Sequence, residues 1–73
     1  MNTGDLCRFI EYERMLDLGY APVFCSYAGS IWKIIKISDF WYLEYSHRHF
    51  DLINDDGIII SEIPEEVLSV LND

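Results

Sequence analysis

Positive charge is scarce in this chain and missing from its last third. Five Lys or Arg stand against thirteen Asp or Glu, a formal charge of −8 at pH 7. Residues 51–73 hold seven of those carboxylates and no Lys or Arg. Such a field repels nucleic acid phosphates and attracts basic protein patches. Cysteine is also scarce. Cys7 and Cys25 are too few to staple a small secreted domain; they read as buried free thiols, with a single bridge as the alternative. Long hydrophobic runs are absent, since the longest aliphatic stretch, Ile58 to Ile60, is far too short to cross a bilayer. The opening residues, Met1 to Asp5, lack the basic charge of a targeting segment. The chain is therefore expected to be soluble and cytoplasmic, with no membrane partner. It has no Gly-rich phosphate loop, no Ser nucleophile elbow and no acid pair at informative spacing. It is expected not to be an enzyme and to use no cofactor.

What the chain does have is apolar mass. Hydrophobic residues make up 51% of its 73 positions, and eleven are aromatic. The length suits one domain, residues 1–73, which buries only about 60% of its unfolded surface. Two readings follow: part of the apolar surface stays exposed as a binding face, or large rings fill a small core.

Two-residue alternation, with many β-branched and aromatic positions, dominates after Gly19. It predicts strands near residues 21–27, 31–37, 40–45, 50–54 and 58–63. Turn chemistry separates several of them, at Ala28-Gly29-Ser30 and at Asp55-Asp56-Gly57, where Asp-Gly supplies the positive φ angles of a tight hairpin. Pro64 ends the last of these strands or confines it to an edge, and Glu65-Glu66-Val67-Leu68 suits one helical turn. The N-terminal third has two readings. Leu6, Phe9, Ile10, Met15 and Leu16 approximate helical spacing over residues 5–18, with Gly19 as the C′ residue. Alternatively, residues 5–10 form a strand with Cys7 and Phe9 inward, followed by a charged loop through Glu11, Glu13, Arg14 and Asp17.

The opening Gly4-Asp5-Leu6-Cys7-Arg8-Phe9 resembles the first strand of small phage-encoded SH3-like barrel proteins. Asp55-Asp56-Gly57-Ile58-Ile59-Ile60, followed by Ile63-Pro64-Glu65-Glu66-Val67-Leu68, is similar to their closing pattern of Asp-Gly turn, strand, Pro-Glu-Glu turn and final short strand. The resemblance implies a mainly β fold, a small SH3-like barrel. Residues 31–50 offer more strand than the simple barrel needs, so an extra central strand or hairpin is expected. The alternative is α+β, with helix 5–18 packed on an antiparallel meander. The resemblance also implies a binding role without a common active site. In size and acidity the chain is similar to phage factors that bind host bacterial RNA polymerase, including those of Xanthomonas phages.

Trp32, Phe40, Trp41, Tyr42, Tyr45 and Phe50 crowd the middle of the chain. In the run Phe40 to Leu43 both faces of a strand are apolar, so Trp41 and Tyr42, facing opposite ways, are the candidate interface anchors, against a reading in which both faces are core. Stacking rings also suit single strands of nucleic acid, but Lys33, Lys36 and Arg48 make a poor positive groove among thirteen carboxylates. Direct nucleic acid binding is disfavoured. His47 and His49 share one face of an extended segment and, with Cys7 and Cys25, would make four zinc ligands. Their spacing matches no zinc-finger pattern, and Asp55-Asp56-Gly57 lacks the staggered ligands of a calcium loop. No metal is expected.

The functional expectation is a non-enzymatic protein-binding regulator. Asp55, Asp56, Glu62, Glu65 and Glu66 would steer it onto a basic protein surface, with host RNA polymerase the candidate partner and altered transcription the result. Two alternatives stand beside it: a nucleic acid mimic that inhibits a DNA-binding protein, and a small virion or assembly component pairing through exposed strand edges.

Overall fold

The computed structural model describes residues 1–42 and 45–71, and for residues 40–42 and 45–47 the backbone alone. The fold is mainly β. Five antiparallel strands form one sheet: β1 (Leu6–Phe9), β2 (Ile31–Tyr42), β3 (Tyr45–Ile53), β4 (Ile59–Pro64) and β5 (Leu68–Val70), in the order β4-β3-β2-β1-β5. Two short helices, α1 (Tyr12–Asp17) and α2 (Pro22–Cys25), occupy the β1–β2 connection. A 3-10 turn, Glu65–Val67, joins β4 to β5.

That last connection rolls the sheet. β4 and β5 are its two edges, and in a flat sheet with strands about 4.8 Å apart they would lie about 19 Å from one another. The Cα steps from Pro64 to Leu68 reach at most about 14 Å even when fully extended, and in a 3-10 turn much less. The edges must therefore approach each other, which gives the sheet a barrel-like shape.

Alternation selects the inner face. Cys7 and Phe9 of β1, Trp32 and Ile34 of β2, Phe50 and Leu52 of β3, Ile63 of β4 and Leu68 of β5 are all buried. Met15 of α1, Cys25 of α2 and Val67 of the 3-10 turn complete the core. Two bulges meet at Asp51. On β2 the register slips between Ile34 and Lys36, leaving Ile35 extra. On β4 the two residues Ser61 and Glu62 stand opposite Asp51 alone. Bulges bend strands and strengthen twist, so a pair at one level makes a barrel corner. Asp51 Oδ1 accepts the Glu62 N–H at 3.2 Å, and Glu62 takes a φ of 60°.

Several local expectations need correction. Residues 21–27 are not a strand, because Pro22 occupies the first helical turn, where its missing N–H costs nothing, and opens α2. The helix over 5–18 is confined to Tyr12–Asp17, since Cys7 and Phe9 alternate inward within β1. The charged segment through Glu13, Arg14 and Asp17 is that helix and not a loop. It ends as a Schellman motif, with Gly19 at φ 93° and bonds from Gly19 N–H to Leu16 O and Tyr20 N–H to Met15 O. Residues 31–37 and 40–42 belong to one strand, so the surplus lengthens β2 and β3 without adding a separate central strand.

The last hairpin is also looser than a two-residue turn. Gly57 N–H bonds Asn54 O and Asn54 N–H bonds Ile58 O, and within this loop Gly57 alone has positive φ, 81°. That is the three-residue loop with a glycine bulge. Asn54 Oδ1 fastens it by accepting the N–H groups of Asp56 and Ile58 at 3.0 and 2.9 Å. Pro64 closes β4 on the sheet edge, as its missing donor requires.

Candidate functional site

The outward positions of the sheet decide what the molecule presents. Strand register places Leu6 of β1 beside Lys33 of β2, Lys33 beside Ile53 of β3, and Ile53 beside Ile59 of β4. One row thus crosses four strands on the outside of the barrel, and it is aliphatic except at Lys33. Ile31 and Ile35 flank Lys33 along β2. Leu6 and Ile31 are nearly half exposed (48% and 47%), Ile59 reaches 56% and its neighbour Ile58 54%. Large aliphatic groups at that exposure, contiguous across strands, exceed the scattered apolar residues of an ordinary surface.

The charge around this row is mainly positive. Arg8, two residues beyond Leu6, lies opposite Ile31, and Lys36 lies opposite Asp51. Asp51 is the one acid at these register positions, and its carboxylate is engaged with the Glu62 N–H. A molecule of charge −8 therefore turns an apolar face with three cations outward.

The carboxylates expected to act as one acidic face are divided. Asp55 and Asp56 sit in the β3–β4 loop, whereas Glu65 and Glu66 begin the 3-10 turn at the other end of β4. Six residues of strand separate the pairs, roughly 20 Å at 3.3 Å per residue. Glu62 lies between them on the bulge, and all five are exposed. Glu65 also comes within 4.0 Å of Arg48, which bonds Asp39 at 3.2 Å. Glu66 accepts the Tyr20 hydroxyl proton, tying the loop before α2 to the 3-10 turn. Trp41 and Tyr42 belong to β2 by backbone, pairing with Ser46 and Tyr45; their side chains lie outside the described residues, as does that of His47.

Elsewhere the aromatics build structure. Phe9, Phe24, Tyr27 and Trp32 touch ring to ring at centroid distances of 5.4 to 6.3 Å, and Tyr20 stacks on Phe24. Trp32 Nε1 donates to Ser30 Oγ at 2.7 Å. Cys7 and Cys25 are buried free thiols. Burial pushes the Cys7 thiol up to about 11, so the nucleophilic and metal-binding thiolate is scarce at neutral pH. Among the described residues no three His, Cys, Asp or Glu side chains converge as a metal site. No described helix is long and apolar enough to cross a membrane.

Sequence reasoning missed the outer row because its members come from four strands. The signal was present in each strand, as aliphatic residues at the outward parity, but only register brings them together. Comparison with protein-family models, curated proteins and solved structures finds no match.

Proposed function

We propose that this chain is a non-enzymatic protein-binding regulator that docks through the outer face of its sheet. The exposed aliphatic row from Leu6 to Ile59, centred on Lys33, carries the reading. Burying it supplies the apolar centre of an interface, and surrounding charges set orientation and association rate. The complementary partner is a protein surface with an apolar centre, a carboxylate opposite Lys33, and basic residues where Asp55, Asp56 and Glu62 border β4. Host bacterial RNA polymerase is the candidate partner, on the resemblance of size and acidity to phage factors that bind it, and altered transcription is the outcome.

The sheet edges argue against assembly by strand pairing. β4 carries a bulge and a proline, and β5 has three residues, which are devices that blunt an edge. The spread of carboxylates along β4 keeps the mimic reading in the test. Purified bacterial RNA polymerase, titrated with the labelled protein in solution, is expected to bind the wild type more weakly as salt rises. Leu6→Asp with Ile59→Asp should abolish binding without loss of fold. Unchanged binding of that double variant would remove the outer face from the mechanism. No binding by the wild type would remove polymerase as partner. Displacement of DNA from the enzyme would favour the mimic.

A further inference from the structure

A cleft of about 480 Å³ opens where β1 leaves the sheet, lined by Arg8, Phe9, Ile10, Glu11, Arg14, Gly29 and Ser69. Three elements position its polar groups. Arg8 and Ser69 are direct cross-strand partners on β1 and β5, so their side chains emerge side by side. Arg14 comes from α1, whose N-cap is Glu11. Among the described residues Arg48 is the arginine held in ion pairs, with Asp39 and Glu65, and no hydrogen bond or ion pair between described residues engages the guanidinium of Arg8 or Arg14. Two of the chain's five cations thus line one concavity without a carboxylate partner among the described residues.

The cleft's chemistry narrows the ligand. Three of its backbone donors are already used: Phe9 N–H bonds Ser30 O, Ile10 N–H bonds Val67 O and Gly29 N–H bonds Phe9 O. The side-chain donors left to recognise a ligand are the two planar forks and the Ser69 hydroxyl. Guanidinium matches a carboxylate in two-pronged geometry, with stronger hydrogen bonds than neutral donors give. Against the two guanidiniums stands the Glu11 carboxylate, so the lining is net +1, which suits a monoanionic group better than a phosphate dianion. The overall charge of −8 disfavours polyanions further. Ile10 and the arginine stems offer apolar walls to the rest of the ligand, Phe9 being buried in the core, and the volume lies in the range of pockets that take small organic ligands.

We infer that the Arg8–Arg14 cleft is a carboxylate-binding site, distinct from the aliphatic row, that takes either a small organic acid or the carboxylate of a peptide. Isotope-edited NMR of the full chain, titrated separately with propionate, with a short peptide ending in a free carboxylate, with its amidated form and with inorganic phosphate, distinguishes these sources. Shifts are expected at Arg8, Ile10, Arg14, Gly29 and Ser69. Saturation by propionate assigns a free acid; saturation by the carboxylate peptide alone assigns a peptide. Arg8→Gln with Arg14→Gln should weaken binding at least about tenfold, the equivalent of roughly 1.4 kcal/mol, and Arg8→Lys with Arg14→Lys should weaken it less, keeping charge without the fork. Lys33→Gln should leave it unchanged. Binding that survives the double Gln variant, prefers phosphate, or treats the amidated peptide like the free one overturns the assignment, as does an absence of shifts with every carboxylate.

Discussion

Cys7 and Tyr20 show how single groups set the conditions under which this fold persists. The Cys7 thiol is buried in the core, and Sγ donates to Trp32 O at 3.5 Å. Its folded pKa is raised from 9.0 to about 11, so the unfolded chain loses this proton first. The stability associated with the neutral thiol is whole below pH 9 and disappears as pH climbs from 9 towards 11, amounting to roughly 2–3 kcal/mol at 1.36 kcal/mol per unit. Tyr20 acts in the same direction. Burial first, then the hydrogen bond and charge of Glu66, push its phenol well above the ordinary value of 10.0, so its contribution also declines at pH values above the unfolded pKa. Urea unfolding from pH 8 to 11 should show a steep loss of stability, flattened in Cys7→Ala and further flattened by Tyr20→Phe. An equal slope in all three proteins would contradict the assignment. At the same scale, Asn54→Ala leaves the Asp56 and Ile58 N–H groups without their shared acceptor and should cost about 1 kcal/mol in denaturant titration.

At the level of elements, legibility followed the length of each pattern. β1 stayed one of two readings, because Leu6, Phe9 and Ile10 also fit a helical period, whereas the last hairpin, the edge position of Pro64 and the 3-10 turn could be read because period-two alternation and turn residues mark them. α2 could not, since four residues, Pro22 to Cys25, are too few to express a 3.6 period, and Val23, Phe24 and Cys25 suit a strand by composition. The bulges were invisible for another reason: an extra residue such as Ile35 is defined only by the strand opposite it. The candidate site divides similarly. The acidic residues were evident by count, but their separation along β4 depends on where the hairpin turns, and the aliphatic row depends on four registers. The β4 bulge makes a prediction of its own. With φ at 60°, residue 62 tolerates glycine, whereas a β-branched side chain is disfavoured in the left-handed region. Glu62→Val should destabilise by about 1–2 kcal/mol and Glu62→Gly should lose little, as read from paired chemical melts. Equal losses would mean that Asp51, not the backbone angle, governs the corner.

For the molecule as a whole, charge and size act together. The surplus of eight negative charges repels itself in the compact state, and added salt screens that repulsion within about 10 Å at 0.1 M. The Tm should therefore rise as sodium chloride increases from low to moderate concentration; a fall would mean that ion pairs such as Arg48–Asp39 outweigh the repulsion. A core of eleven buried side chains among the described residues leaves little reserve. Phe50 pairs with both Ile37 and Ile63 and is fully buried. Phe50→Ala should cost about 3–5 kcal/mol, close to the whole stability of a small domain, and is expected to abolish the cooperative thermal transition.

The short link across the 3-10 turn has a temporal consequence. β1 sits between β2 and β5, so its second hydrogen-bonded neighbour is the last strand of the sheet, with Cys7 paired to Val70. During synthesis β1 emerges before the other four strands, yet its outer ladder stays open until β5 has been made. Pairings this distant in sequence slow folding towards the millisecond-to-second range. A ribosome-bound nascent chain arrested before Leu68 has exited the tunnel would hold Phe9 without its final partner, so protection of β1 from proteolysis should arise only once β5 has emerged.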